Sequence, residues 1–251
     1  FVLLPHYHFD DEFYHWGLYY EAFKNADKVL VAPNVSKELF FNKISVNSVI
    51  VPGGGINLNE YQDHDNDSIY NLYKSNLPFI LVLGRKNGAK NYKSIIEAID
   101  KINEKEKICN LLMIGKDEDG DEIISKNVVY LKEQPRSIVL SALAKCKFLV
   151  NMSSSESFGI VIVESWASGK TVVVNGRCPA FAELVQDQIN GLYATEYNLS
   201  EKIRYLLDND DIVDVLSLNG QSQITNYTWK EIGVKIGSIL LNLTLNKNNL
   251  S

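Results

Sequence analysis

Two hydrophobic periods alternate along this chain. Short runs of Val, Ile, Leu and Phe, bounded by Gly, Pro or Asn, recur at residues 49–51, 79–83, 110–114, 128–131, 148–150 and 171–174. Runs of this length and make-up read as buried strands. Between them the apolar residues recur at helical spacing. Residues 92–102 place Ile95, Ile96, Ile99 and Ile102 on one stripe. Residues 137–144 and 160–167 predict shorter helices, and Pro179 suits the first turn of a helix over 179–185. Upstream, residues 16–25 read as a helix and 27–31 as a short strand. From Leu199 onward the pattern is helical throughout. Ile232, Ile236, Ile239, Leu240 and Leu243 form the stripe of a last helix, and the polar tail 246–251 is expected to fray.

Strand–helix alternation at this spacing predicts an α/β fold: a Rossmann-like, doubly wound parallel sheet with helices on both faces. Such sheets bind ligands beyond the carboxyl ends of their strands. The loops to search are therefore 53–55, 84–86, 115–116, 152–159 and 175–177. Residues 1–45 read as the end of a preceding domain, 46–228 as the main domain, and 229–251 as a C-terminal helix and tail. The chain opens at Phe1 inside an apolar run, which predicts a fragment of a longer protein.

Composition narrows the partners. Hydrophobic residues make up 45% and charged residues 22%, enough for a real core. A net charge of −6 argues against broad nucleic-acid binding, which needs a basic face. Cys109, Cys146 and Cys178 form no Cys-x-x-Cys pair, so reduced thiols and a cytoplasmic setting are expected, with no zinc site. No apolar run approaches the ~20 residues of a membrane span. The Asn-x-Ser/Thr triplets at Asn151 and Asn226 are read as chance matches in an Asn- and Ser-rich chain.

Two segments carry chemistry. In the first, a strand runs into a Ser/Glu loop, and a helix is predicted to begin near Phe158. The free amides of Phe158, Gly159, Ile160 and Val161, with the positive end of the helix dipole, make an anion site suited to a diphosphate. Gly159 removes a side chain where a ligand would approach the backbone. Glu156 and Glu164 flank the turn, eight residues apart, or about 12 Å if helical. Carboxylates accept hydrogen bonds from vicinal diols and repel phosphate. In the second segment, residues 83–92, a strand ends at Gly84 and is followed by Arg85, Lys86 and Lys90. Cations there can neutralise a diphosphate leaving group, Arg85 through two parallel hydrogen bonds. Three other motifs are rejected. Ser168-Gly169-Lys170-Thr171 has helix before and strand after, the reverse of a phosphate-binding P-loop. Gly53-Gly54-Gly55 has no second half of a dinucleotide fingerprint and reads as a tight turn. The serines at 153–157 lack a nucleophile elbow.

These segments, in this order, resemble glycosyltransferase family 4. The family's glutamate pair with seven residues between stands here as E-SFGIVIV-E. GRKNGAKN is similar to its Gly-Arg…Lys donor loop, and VIVPGGGINLNEY to its Pro-x-Gly-Val-Asp…Phe turn. LLMIGK and PAFAELVQDQINGLY resemble two further segments, so the likeness covers about residues 27–230. It implies the C-terminal, donor-binding half of a GT-B fold with a remnant of the N-terminal acceptor domain. It implies a retaining transferase that uses a nucleotide-diphosphate sugar, UDP favoured over GDP, with no metal or other cofactor. The implied acceptor is a glycan or lipid-linked saccharide in surface polysaccharide synthesis, which would place the protein in the cytoplasm or at the inner membrane face through the N-terminal domain.

By the family pattern Glu164 would hold the ribose hydroxyls and Glu156 would face the donor sugar. Gly84, Arg85, Lys90 and the amides of Phe158 to Val161 would hold the diphosphate. Gln134 and Pro135 would lie near the base. His8, in PHYHFDD, stands where relatives carry a His beside the donor, with His6 as its alternative. Trp166 replaces a smaller residue, and Asn175-Gly176-Arg177-Cys178 departs from the usual Gly-rich stretch, which leaves the sugar open. An epimerase or hydrolase of the same architecture, or a donor-binding module without activity of its own, remain the competing readings.

Overall fold

The computed structural model describes residues 2–3, 16–31, 48–62 and 67–248. Two parallel sheets organise them. A three-stranded sheet joins β1 (Val2–Leu3), β2 (Lys28–Val31) and β3 (Ser48–Ile50), with α1 (Trp16–Asn25) between the first two strands. Strand β3 lies beyond residue 45 and pairs with β2, so it belongs to the first sheet.

The second sheet has six strands: β4 (Phe79–Leu83), β5 (Asn110–Ile114), β6 (Val128–Tyr130), β7 (Leu149–Asn151), β8 (Val172–Asn175) and β9 (Leu192–Ala194). All neighbours are parallel, in the order β6-β5-β4-β7-β8-β9. The chain moves outward from β4 through β5 to β6, returns to the middle at β7, and moves outward again on the other side. The strand order therefore reverses between β4 and β7, the point at which open parallel sheets leave a crevice for ligand. Strand β9 was not read from sequence, because Leu-Tyr-Ala carries no β-branched residue and includes Ala, which strands disfavour.

Both sheet faces are covered, which is why the strands are continuous apolar runs rather than alternating ones. Phe79, Leu81 and Leu83 pack on one face with α3 (Arg136–Lys145), α4 (Ile160–Ala167) and α5 (Pro179–Leu184). Ile80 and Val82 point to the other face, against α2 (Tyr92–Ile102), α6 (Leu199–Asp208) and α7 (Asp210–Gln221). Ile95 and Ile99 of the predicted stripe are fully buried, and Ile96 and Ile102 pack at its edge. Pro179 occupies the first turn of α5, as expected.

Helix α8 (Trp229–Asn248) is anchored at its start. The Trp229 amide donates to the Ile56 carbonyl at 3.1 Å, and Ile232 is buried. Leu240, expected on its apolar stripe, is exposed. No helix among the described residues is long and apolar enough to cross a membrane.

Candidate functional site

The loops after β4 and β7 flank the strand-order reversal, and direct bonds join them. Gly84 ends β4 at φ +137°, a left-handed value that favours glycine, and its amide donates to the Ile114 carbonyl at 3.0 Å. A Cβ on Gly115, at the end of β5, would fall 1.8 Å from the Gly84 carbonyl oxygen. Two glycines thus let the loops after β4 and β5 run side by side. Beyond them the Lys86 amide donates to Lys116 and the Glu118 amide to Lys86 (2.8 and 3.1 Å).

The three cations of this loop have different fates. Lys86 turns inward and is 2% exposed. Its ammonium donates to the Asp117 and Asp119 carboxylates and the Asp121 carbonyl, and lies 5.2 Å from the centre of the Tyr92 ring. Burial alone would lower its pKa, but the two carboxylates outweigh that and hold it above its ordinary value. Arg85 stays exposed, with Glu118 at 3.4 Å. Lys90 ends a short 3-10 turn, Gly88–Lys90, that the Asn87 side chain caps. Its ammonium pairs with Glu156 of the loop after β7, and the Ser154 amide donates to the Ala89 carbonyl at 3.1 Å. Lys90 and Glu156, 66 residues apart, are therefore partners.

The loop carrying Glu156 is supported from below. The buried Asn151 side chain accepts from the Ser153 amide (3.0 Å) and hydroxyl (2.7 Å), and Asn175 donates to the Ser153 carbonyl (3.1 Å). A small pocket beside it is lined by Gly84, Arg85, Lys90, Tyr92, Tyr130 and Asn151.

The helix expected to start near Phe158 starts at Ile160 instead. Gly159 sits at its N-cap with φ +91°, which a right-handed helix does not allow. A Cβ there would meet the Phe181 ring at 3.0 Å, so packing as well as backbone conformation calls for glycine. The Gly159 carbonyl accepts the first bond of the helix, from the Ile162 amide at 2.9 Å. Phe158 is not in the first turn; it is buried, its ring 5.9 Å from that of Tyr227. The Gly53-Gly54-Gly55 turn comes close overhead: a Cβ on Gly54 would lie 3.5 Å from Phe158 and Ile160.

Glu164 lies in the second turn of α4 and is held by residues that sequence reasoning missed. Arg136 Nη1 donates to its Oε1 at 2.6 Å, and Tyr61 Oη donates to the same oxygen at 3.1 Å. Burial, then the charge of Glu164, raises the Tyr61 pKa and keeps the hydroxyl protonated. Tyr61 stands where the resembled family turn has Phe, and Arg136 directly follows Pro135. Those adjacencies were the only signal in the sequence. Gln134 donates to the Leu131 carbonyl at 2.5 Å, and Pro135 caps α3. His8 and His6 lie outside the described residues. Among the described residues no group of three or more His, Cys, Asp and Glu is placed to hold a metal ion.

Comparison with known proteins shows the family and the fold. The profile of the family described as glycosyl transferases group 1 matches residues 64–223. The chain is 28% identical over 223 residues to an uncharacterized glycosyltransferase of Methanocaldococcus jannaschii, covering 84% of this chain and 58% of that protein. It is 26% identical over 227 residues to the N,N'-diacetylbacillosaminyl-diphospho-undecaprenol alpha-1,3-N-acetylgalactosaminyltransferase of Campylobacter jejuni, covering 84% and 59%. The chain thus spans less than two thirds of the length of these relatives. Among solved structures, Anabaena HepE in complex with UDP and glucose superposes with a TM-score of 0.81 at 18% identity, covering 95% of this chain and 70% of that one. Sucrose-phosphate synthase from Thermosynechococcus elongatus superposes with a TM-score of 0.79 at 17% identity, covering 92% and 61%. A six-stranded parallel sheet that reverses order at the joined loops, with a family profile across more than half the sequence, places this chain in the group 1 glycosyl transferases, family 4, with the GT-B fold.

Proposed function

We propose that this chain carries the donor site of a retaining glycosyltransferase, which moves a sugar from a UDP sugar to a glycan or lipid-linked acceptor in surface polysaccharide synthesis. The observation that carries the reading is the joining of the Arg85–Lys90 loop to the Glu156 loop at the strand-order reversal. There, Lys90 pairs with Glu156 across the two loops, and Arg85 and Lys90 line one small pocket with Gly84, Tyr92 and Asn151. A diphosphate would draw Lys90 from Glu156 to its own oxygens and take Arg85 as a second cation. Glu156, released from Lys90, would accept from the hydroxyls of the donor sugar, and Glu164 from those of the ribose. The chemistry asked of the protein is charge neutralisation on the departing diphosphate, which fixed cations and amides supply without a metal. Two relatives favour the donor and acceptor classes: the Campylobacter protein is named for transfer to a diphospho-undecaprenol saccharide, and HepE was solved with UDP and glucose.

The test is calorimetric titration of UDP and of uridine into the wild-type protein and Arg85→Gln. The substitution should weaken UDP about tenfold, as loss of one charge-assisted contact does, and leave uridine within about twofold. Equal weakening of both would indicate a general disturbance of the loop, and an unchanged UDP affinity would remove Arg85 from the site.

A further inference from the structure

Glu164 is gripped on one side only. Tyr61 and Arg136 both donate to Oε1, and among the described residues no hydrogen bond reaches Oε2. Its side chain is 13% exposed, so the carboxylate keeps only limited access to solvent. The two donors are themselves braced. Arg136 Nη2 donates to Tyr61 Oη at 2.7 Å, Nε and Nη2 donate to Glu60 Oε2 at 3.3 Å, and the guanidinium lies 5.5 Å from the Tyr61 ring centre. The members come from a 3-10 turn (Leu58–Tyr61), the first residue of α3 and the second turn of α4. No local sequence preference brings them together.

Such a clamp has two effects. It fixes the rotamer of Glu164 in advance, so a ligand does not have to order it. It also sets a positive charge against a carboxylate that would otherwise repel a nearby diphosphate. A carboxylate oxygen with both lone pairs open can accept from two adjacent hydroxyls. We infer that Tyr61 and Arg136 are positioning residues for the donor nucleotide: they occupy Oε1 of Glu164 and present Oε2 to the ribose diol. This rests on the donor-site reading above.

The readout is discrimination of the 2′-hydroxyl, which a merely structural role would leave unmoved. UDP and 2′-deoxy-UDP are titrated calorimetrically into the wild type, Glu164→Gln, Arg136→Gln and Tyr61→Phe, with GDP and its 2′-deoxy form in parallel. The wild type should prefer the ribose form about tenfold, the contribution of one hydrogen bond to a charged group. In Arg136→Gln and Tyr61→Phe that preference should shrink to about twofold or less, through weaker binding of the ribose form, with melting temperatures close to wild type. The inference is overturned if both variants keep the wild-type preference, or if the ribose and deoxyribose forms weaken equally. If the wild type binds no nucleoside diphosphate, or Glu164→Gln keeps the preference, the donor-site reading fails and takes the inference with it.

Discussion

A lysine ammonium enclosed by protein keeps its charge only where carboxylates and carbonyls replace the water it has lost. Lys86 meets that condition with Asp117, Asp119 and the Asp121 carbonyl, and the cage clips the loop after β5 to the loop that carries Arg85. The carboxylates feel the same contact. The hydrogen bond from Lys86 pulls the Asp119 carboxyl from 3.8 down to about 2, and it lowers Asp117 as well. A carboxyl whose pKa is depressed by folding adds stability above its unfolded value and loses that contribution as pH falls through the folded one. Stability should therefore decline between about pH 4 and pH 2, in part through this cage. Lys86→Met should cost about 2 kcal/mol in urea unfolding at neutral pH, less than a fully buried pair because both carboxylates keep contact with water. The same variant should show a flatter stability profile over that acid range. A wild-type slope there would mean that the cage contributes nothing to the acid response.

Helices α4 and α7 meet through a shape fit rather than a generic apolar contact. Trp166 of α4 is fully buried, and its Nε1 donates to the Asn190 carbonyl at 3.0 Å. The indole lies over Gly220 of α7, where a Cβ would fall 2.2 Å from the ring. Gly220→Ala should cost about 3 kcal/mol, the upper range for overpacking, since neither the indole nor the helix backbone can yield. Adding Trp166→Phe should recover part of that loss, and the two changes should be non-additive in urea unfolding. If Gly220→Ala is neutral, the two helices are not held at this spacing. The pair also shows which parts of the molecule were legible in advance. Strands β4 and β5 and helix α4 fall where their apolar runs place them, because burial on both faces gives an unbroken signal. Trp166 read only as a departure from a family pattern, since the glycine that accommodates it lies 54 residues later. Tyr61 and Arg136 were invisible for the same reason: Tyr61 meets Glu164 across 103 residues, and no local period records such a contact. The apolar run 160–167 matches the bounds of α4, but the reading that its first turn reached back to Phe158 failed, because Gly159 was read for ligand access alone when its φ and the Phe181 ring also constrain it.

At the scale of the whole chain, a net charge of −6 opposes the approach of a diphosphate. Binding would then have to come from a local reversal of sign, which the donor-site reading puts at the middle of the second sheet once Lys90 leaves Glu156. Arg85 and Lys90 come from the loop after β4, and the amides at the start of α4 follow β7. On the donor-site reading, these two cations and the free amides of the first turn of α4 would leave a diphosphate little need of a bridging cation. UDP affinity should therefore change less than about twofold when EDTA replaces added magnesium, whereas a metal-bridged diphosphate would lose tenfold or more. The same binding should appear as stability of the whole domain, because the site joins loops from both halves of the sheet. At 100 times its dissociation constant a ligand adds about 2.7 kcal/mol, which for a chain of this size raises the melting temperature by about 5–10 °C. That rise should be equal with EDTA and with magnesium, and it should be cooperative, with a single transition. A rise that requires magnesium would show that a metal, rather than the clustered cations and amides, supplies the positive charge. A separate transition that UDP leaves unmoved would show that the two halves of the sheet unfold independently.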